Sequence, residues 1–467
     1  LPQARDLLLA AAEIAEDQNV EAGLLAEGMR VTLYLGDVAG ATELVRRLEA
    51  LHPLAPESRA SAMLAAGMGR VLAGMGGVEQ IRSAIPLLET GDGVHFEPRR
   101  LAWLMLAVLF LRDVSEARRV RDLVDALRPD MGAGRLAEVL WLVARYQATT
   151  EAWTTAGANY SEAVRLARET GQESELAMAL AGLAWLESRQ GKEEDCRAHA
   201  AEALALCGAR DIHFGQAWAD YALGDLDLSL GEAGAAVARL QSLVDWLDGN
   251  GLDDPDLAPA PELVDALLRS GERDRAARLA WAHLERARAK DRPWALARAH
   301  RAVGLVAEDF DSFFATALSW HLQTPDRFEE ARTRLAFGAR LRRAGRRMDA
   351  RPELRWAVTE FERLGARQWG DQAASELAAT GETVRRTESG VVPELTAQEL
   401  QVCLMLAGSR TTRETAAALY LSPKTVEYHL RKVYVKLGIR SRAELAQHLQ
   451  TSSGFGVAGG SEARQQR

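Results

Sequence analysis

Ser422-Pro423-Lys424-Thr425-Val426-Glu427-Tyr428-His429 opens a helix whose limits and faces can be read from the residues alone. Ser422 suits the N-cap, where its hydroxyl accepts from an orphan backbone N–H, and Pro423 suits the first helical position, where no N–H is needed. Gly438 ends the helix, because glycine takes the left-handed conformation past a C-terminus without steric cost. Val426, Leu430, Val433 and Leu437 recur at i, i+4, i+7 and i+11 and form one apolar stripe facing a small core. Lys424, Glu427, Tyr428 and Arg431 project from the other side, flanked by Lys432 and Lys436. Three of the five lysines in 467 residues lie on this one helix.

Working outward, three capping boxes mark neighbouring helices: Thr396 with Glu399, Thr411 with Glu414, and Ser441 with Glu444. Leu395 and Leu400 flank the first box as a hydrophobic staple would. Tyr420 and Leu421 alone separate the second and third helices. A short turn before a basic, amphipathic helix is a helix-turn-helix, the arrangement that places a recognition helix in the major groove of DNA, here residues 422–437. The competing explanation for a basic helix is a solvated face.

These residues resemble the LuxR-type DNA-binding domain. Its motif is matched by Leu395, Thr396 and Glu399; by Thr411, Arg413, Glu414 and Ala416; by Ser422, Thr425, Val426 and His429; and by Lys436, Leu437, Gly438, Ser441 and Arg442. It departs at Gln398, where arginine is usual, at Thr412 in place of asparagine, at Thr415 in place of an aliphatic residue, and at Ser409 in place of the turn glycine. The resemblance implies base contacts from Glu427, Tyr428 and Arg431. Arginine matches guanine O6 and N7, and a carboxylate accepts from cytosine N4. Lys424, Thr425, Lys432 and Lys436 are then expected on phosphates, which position the helix without reading sequence. Ala443, Ala446 and Leu449 share one face of the fourth helix and resemble the family's dimerisation surface.

The remaining chain repeats. Helix-turn-helix punctuation recurs near Gly36, Gly76, Asp113, Thr150, Gly191, Gly231, Gly271, Glu308 and Gly345, at spacings of 37 to 41 residues. Small residues follow five of these glycines by five positions, at Ala41, Cys196, Ala236, Ala276 and Ala350. Helix pairs at this period stack into a tetratricopeptide-like α-solenoid. The expected organisation is all-α: a solenoid over 1–380, a linker over 381–394, a four-helix DNA-binding domain over 395–450 and a disordered tail over 451–467. Solenoids present a concave surface to peptides, partner proteins or their own subunits, and no residue pattern here specifies the ligand. The eleven tryptophans, Trp103 to Trp369, read as core fillers. The arginine-dense run 340–355 reads as a solvated face, with a second DNA or partner patch as its alternative.

Charge divides the same way. The chain carries −9 overall, yet residues 395–450 hold +4 and 451–467 hold +1, leaving −14 on residues 1–394. DNA attracts the basic end and repels the acidic body. Three cysteines without metal-type spacing fit a reducing cytoplasm, and Cys196 and Cys207, eleven apart, fall on one helical face as core residues. The apolar run Leu101 to Leu111 is about half the ~20 residues of a membrane crossing and reads as a buried helix.

A solenoid joined to such a domain resembles the C-terminal half of the large ATP-binding LuxR-family regulators, clearest over Ala331 to Leu335 and Phe361 to Trp369. Those proteins begin with a nucleotide-binding domain. A phosphate loop needs Gly-Lys followed by Ser or Thr, and the one Gly-Lys here, Gly191-Lys192, precedes Glu193. The chain starts at Leu1, so an ATPase portion is expected to have been removed or cleaved, and ATP hydrolysis is not expected. No His-Glu-x-x-His or Gly-x-Ser-x-Gly motif occurs, so no catalytic or metal site and no cofactor are assigned. The function expected is a cytoplasmic, nucleoid-associated transcriptional regulator and activator that binds a double-stranded operator as a dimer. A protein or peptide ligand of the solenoid, or RNA polymerase, is the further partner. The alternative is a solenoid adaptor tethered weakly and non-specifically to DNA.

Overall fold

The glycines that punctuate the sequence turn the chain. In a computed structural model of the protein, Gly36, Gly191, Gly231, Gly271 and Gly345 all have φ between 65° and 85°, a region that a Cβ disfavours. The small residue five positions after each, Ala41, Cys196, Ala236, Ala276 and Ala350, is buried where the returning helix closes on its partner. The structure describes residues 1–89, 98–112, 124, 131–382, 395, 397–407, 410–419, 421–442, 444 and 445. Every regular element among them is an α-helix. The expected turn at Asp113, residues 383–394 of the linker expected over 381–394 and the tail from 451 lie outside the described residues, as do Thr396, Ser409 and Tyr420.

Helices pair in antiparallel hairpins: Glu173–Gln190 with Glu193–Arg210, His213–Ser229 with Ala233–Gly249, Ala260–Arg269 with Arg273–Lys290, Pro293–Val306 with Phe310–His321, and Arg327–Arg343 with Arg347–Leu364. The first helix of each pair packs on the first helix of the next, making an inner layer. The second helices form an outer layer with one buried stripe each. Small residues let the inner backbones approach: a Cβ on Gly182 would sit 2.4 Å from the Tyr160 ring.

The inner faces meet one another across several repeats, and they meet through charge. Glu262 accepts from Arg298 at 2.7 Å, Arg301 at 3.1 Å and Arg332 at 2.9 Å. Glu329 accepts from Arg189 at 2.9 Å and Arg301 at 2.5 Å. Arg332 also reaches Asp225 at 3.2 Å, and the Tyr221 hydroxyl donates to Glu262 at 2.9 Å. All of these groups are buried. Burial alone would raise the Glu329 carboxyl, but Arg301, Arg189 and Arg298 hold it well below the usual carboxylate range. Aromatic rings cover the exposed guanidinium faces: Arg189 lies 3.8 Å from the Trp185 centroid, Arg298 4.2 Å from Trp294 and Arg332 4.3 Å from Trp369. The tryptophans are thus core residues, as expected, but several carry cations rather than only filling space. Trp281 departs from the pattern and is 43% exposed.

Polar cross-links between distant segments tighten the winding. The Asp253 N–H donates to Leu72 O at 2.7 Å, Gln368 Nε2 to Gly191 O at 3.1 Å and Gln372 Nε2 to Ser229 O at 2.8 Å. Over these repeats the inner helices are therefore joined by their own buried ion network. The arginine-dense run is spent on local partners: Arg342 on Glu376, Arg346 on Asp311 and Asp349, Arg355 on Glu382. The sequence suggested a solvated face; the structure adds that its charges are paired. Cys196 and Cys207 are buried free thiols, and Leu101 to Leu111 falls within the helix Pro98–Leu111. Among the described residues no helix is long and apolar enough to cross a membrane.

Glu329→Ala should cost about 3–5 kcal/mol in denaturant unfolding, because it strands guanidiniums away from water; a change under 1 kcal/mol would show the network to be dispensable. Burial lowers both His283 and His321 to about 3. The unfolded chain binds these protons below about pH 6.5 and the folded chain does not. Stability should therefore fall as pH drops below that value, by up to ~1.4 kcal/mol per unit for each ring. Neither ring nitrogen of His283 has a hydrogen-bond partner among the described residues, so His283→Leu should flatten the acid side of a melting-temperature profile between pH 7 and 5. An unchanged profile would mean that the ring is not held neutral.

Candidate nucleic-acid interface

The helix-turn-helix is built by the caps the residues call for. The Glu414 N–H donates to Thr411 Oγ1 at 3.2 Å while the Thr411 N–H donates to Glu414 Oε2 at 2.7 Å, a complete capping box at the head of Thr412–Ala418. The Thr425 N–H donates to Ser422 Oγ at 3.1 Å, with Pro423 in the first turn of Pro423–Leu437. Gly438 closes that helix at φ 65°. The Ser441 box forms in a shifted version: the Glu444 N–H donates to Ser441 Oγ at 3.2 Å, and the Glu444 carboxylate accepts from the Arg440 N–H at 2.9 Å. The second helix ends at Ala418, with Leu419 as its C-cap.

Two small clusters hold the helices at their angles. Val402, Leu406, Ala416, Leu419 and Val426 form one; Cys403, Val433 and Leu445 form the other. Val426 and Val433 are fully buried, while Leu430 and Leu437 close the edge of the stripe. On the opposite side Glu427, Tyr428, Arg431 and Lys432 are exposed, as is Lys424. Lys432 Nζ sits 4.6 Å from the Tyr428 ring centroid, so one base-contact candidate and one phosphate-contact candidate lie side by side. Thr425 is partly covered, its hydroxyl 2.7 Å from Ser422 Oγ.

Lys436 is differently placed. Its Nζ pairs with Glu399 Oε2 at 2.6 Å, and the Glu399 side chain is only 3% exposed. This pair ties the third helix to Ala397–Ala407. Arg442 has a structural part that its motif position did not reveal: its guanidinium donates to Leu406 O at 3.0 and 2.6 Å and also to Arg410 O. It thereby ties the chain after Gly438 to the end of the first helix of the domain. An arginine just after a helix C-terminus is the only signal that could have suggested it. Ala443, Ala446 and Leu449 lie outside the described residues.

Ala397–Ala407 packs on Trp153–Glu169 of the solenoid, and Arg165 Nη2 donates to Leu419 O at 3.3 Å. The recognition face stays open to solvent.

A capped three-helix core that presents a basic, exposed helix behind a short turn defines a helix-turn-helix DNA-binding protein, here carried on an all-helical repeat solenoid. Residues 393–449 match the family described as bacterial regulatory proteins, luxR family. The spore germination protein GerE of Bacillus subtilis is 38% identical over 52 residues, which cover 11% of this chain and 70% of that protein. The chain belongs to the luxR family of bacterial regulatory proteins. The probable transcriptional regulatory protein NarL of Mycobacterium tuberculosis is 34% identical over 71 residues, 15% of this chain. The chain spans about a third of the NarL relative's length, at 33%. Among solved structures, a Rap protein complexed with competence and sporulation factor aligns with a TM-score of 0.46 and 12% identity, over 77% of this chain and 98% of that one.

Thr415 stands where the family carries an aliphatic residue; it is fully buried, and its hydroxyl has no hydrogen-bond partner among the described residues. Thr415→Val keeps the shape and removes a stranded polar group, so it should stabilise the domain by about 1 kcal/mol. Differential melting with DNA affinity as a control checks this; a destabilised Thr415→Val domain would mean that the hydroxyl is satisfied.

Proposed function

We propose that the protein is a sequence-specific transcriptional activator that docks the helix Pro423–Leu437 in the major groove of its operator and binds as a dimer. The single observation that carries this proposal is the exposed face of Glu427, Tyr428 and Arg431 opposite a fully buried stripe. A residue can read a base edge only if it is free to leave solvent for the groove. Glu427, Tyr428 and Arg431 are assigned to bases, and Lys424, Thr425 and Lys432 to phosphates. Lys436 can join the phosphate contacts only by sharing itself with Glu399, so its contribution is the smallest of the four. The fourth helix, with Ala443, Ala446 and Leu449, supplies the dimer contact. The solenoid receives the signal, from a ligand or a partner protein, and RNA polymerase is the downstream partner.

Selection from a random duplex pool at about 150 mM salt tests this directly, since non-specific counterion-driven binding is already weakened there. A two-fold symmetric motif is expected. Arg431→Ala should relax preference at one position at a cost of about 1–3 kcal/mol, whereas Lys432→Ala should weaken all sequences alike and lower the salt slope by about 1. If no motif is enriched and binding only fades with salt, the solenoid adaptor with a weak DNA tether replaces the activator.

A further inference from the structure

Among the buried arginines of the inner layer, Arg145 is treated differently from the rest. Arg189, Arg298, Arg301 and Arg332 each hold a carboxylate at 2.5 to 2.9 Å. Arg145, on the helix Ala133–Gln147, is 4% exposed and has no carboxylate within ion-pair distance among the described residues. Its Nη1 has no hydrogen-bond partner among them either. The guanidinium is clamped between two indoles, 3.8 Å from the Trp185 centroid and 4.3 Å from that of Trp218. Two indoles fix its plane and leave its edge as the part free to donate.

The unpaired donors cluster. Arg145, Trp218 and Arg112 all line a cavity of about 60 Å³, together with Tyr34, Phe110, Trp141 and Phe214. Trp218 Nε1 and the Nε and Nη1 of Arg112 also lack hydrogen-bond partners among the described residues, as does the neighbouring Trp185 Nε1. Buried donors that go unpaired one at a time are ordinary, but several around one void indicate a missing acceptor. The carboxylates at the same cavity do not supply it. Asp254 and Asp256 are held by Lys290 at 2.6 and 2.7 Å, and Arg112 lies 3.8 Å from Asp256. Lys290 and Arg112 offset those two charges, and Arg145 remains uncompensated. Burial lowers the Arg145 guanidinium to about 10, still charged at neutral pH. The volume suits a group of a few heavy atoms, well above the 10–15 Å³ or so that one water needs.

We propose that this cavity binds a small oxyanion, the carboxylate or phosphate group of a low-molecular-weight ligand, with Arg145 and Trp218 as donors and Arg112 at its far side. This rests on the solenoid's role as signal receiver and gives that role a ligand chemistry. The aromatic walls add stacking for an apolar or planar remainder of the ligand. An anion seated there also joins the helices Ala133–Gln147 and His213–Ser229, one carrying Arg145 and the other Trp218.

The test uses the full chain, melted and followed by tryptophan fluorescence in sodium acetate, sodium succinate or inorganic phosphate, against sodium chloride at equal ionic strength. At least one oxyanion should raise the melting temperature and shift the emission saturably, and whether carboxylate or phosphate does so identifies the source. Arg145→Met should weaken the response at least tenfold; it removes a stranded cation, so it should fold and melt no lower than the parent without ligand. Trp218→Phe keeps the stacking and removes the N–H, so it should weaken the response several-fold. Arg70→Met, which breaks a surface pair with Glu49, should leave the response intact. No oxyanion effect beyond chloride, or an equal effect in parent and Arg145→Met, overturns the site. Operator selection separates the two proposals: oxyanion binding without an enriched motif removes the activator and keeps the site, and a motif without oxyanion binding does the reverse.

Discussion

Glu262 and Glu329 each gather guanidiniums from inner helices that lie far apart in sequence, and the winding of the solenoid depends on them. Arg189 and Glu329 are 140 residues apart and meet at 2.9 Å. Neighbouring hairpins could stack at many angles while burying similar apolar stripes. A carboxylate that must satisfy several fixed, planar donors allows far fewer. The desolvation of such groups is costly, so the network contributes little net stability over an apolar core of the same volume, but it penalises any winding that separates the partners.

The same constraint bears on Arg145, whose Nη1 has no hydrogen-bond partner among the described residues. Where Glu262 and Glu329 reach, every guanidinium finds an oxygen. Arg145 makes no ion pair with either carboxylate, and two indoles lie against its guanidinium instead. Indole faces stabilise a cation but accept no hydrogen bonds from its edge. The cavity and the stranded donors therefore arise together, at the point where the charge network ends and the aromatic layer begins.

The DNA-binding domain is held by a different balance. Its core is small, and buried side chains such as Val402, Val426 and Val433 are supplemented by caps and by two polar ties, Lys436 with Glu399 and Arg442 with backbone carbonyls. Local hydrogen bonds weigh more in so small a unit because the apolar area available for burial is limited. The solenoid covers the back of this domain through Trp153–Glu169, leaving the recognition face exposed. Lysines on one helix therefore have different duties: Lys432 lies over Tyr428 on the open face, and Lys436 braces the interior.

By itself the sequence determined what depends on neighbours a few residues apart. Ser422, Pro423 and Gly438 set the recognition helix, Thr411 and Glu414 set the one before it, and glycines such as Gly36, Gly191, Gly231, Gly271 and Gly345 set hairpin turns, because caps, turns and helical periodicity are local physics. The exposed and buried faces of 422–437 followed from the same periodicity. Only the tertiary structure decided which charges would be partners. Nothing near Glu262 in sequence marks Arg298, Arg301 and Arg332 as its donors, nor does Lys436 announce Glu399 rather than a phosphate. Nor could the residues around Arg145 show that it would have no carboxylate, since that depends on how inner helices separated by whole repeats come together. Pairing across such distances is set by packing angles, and those are fixed only when every repeat is in place.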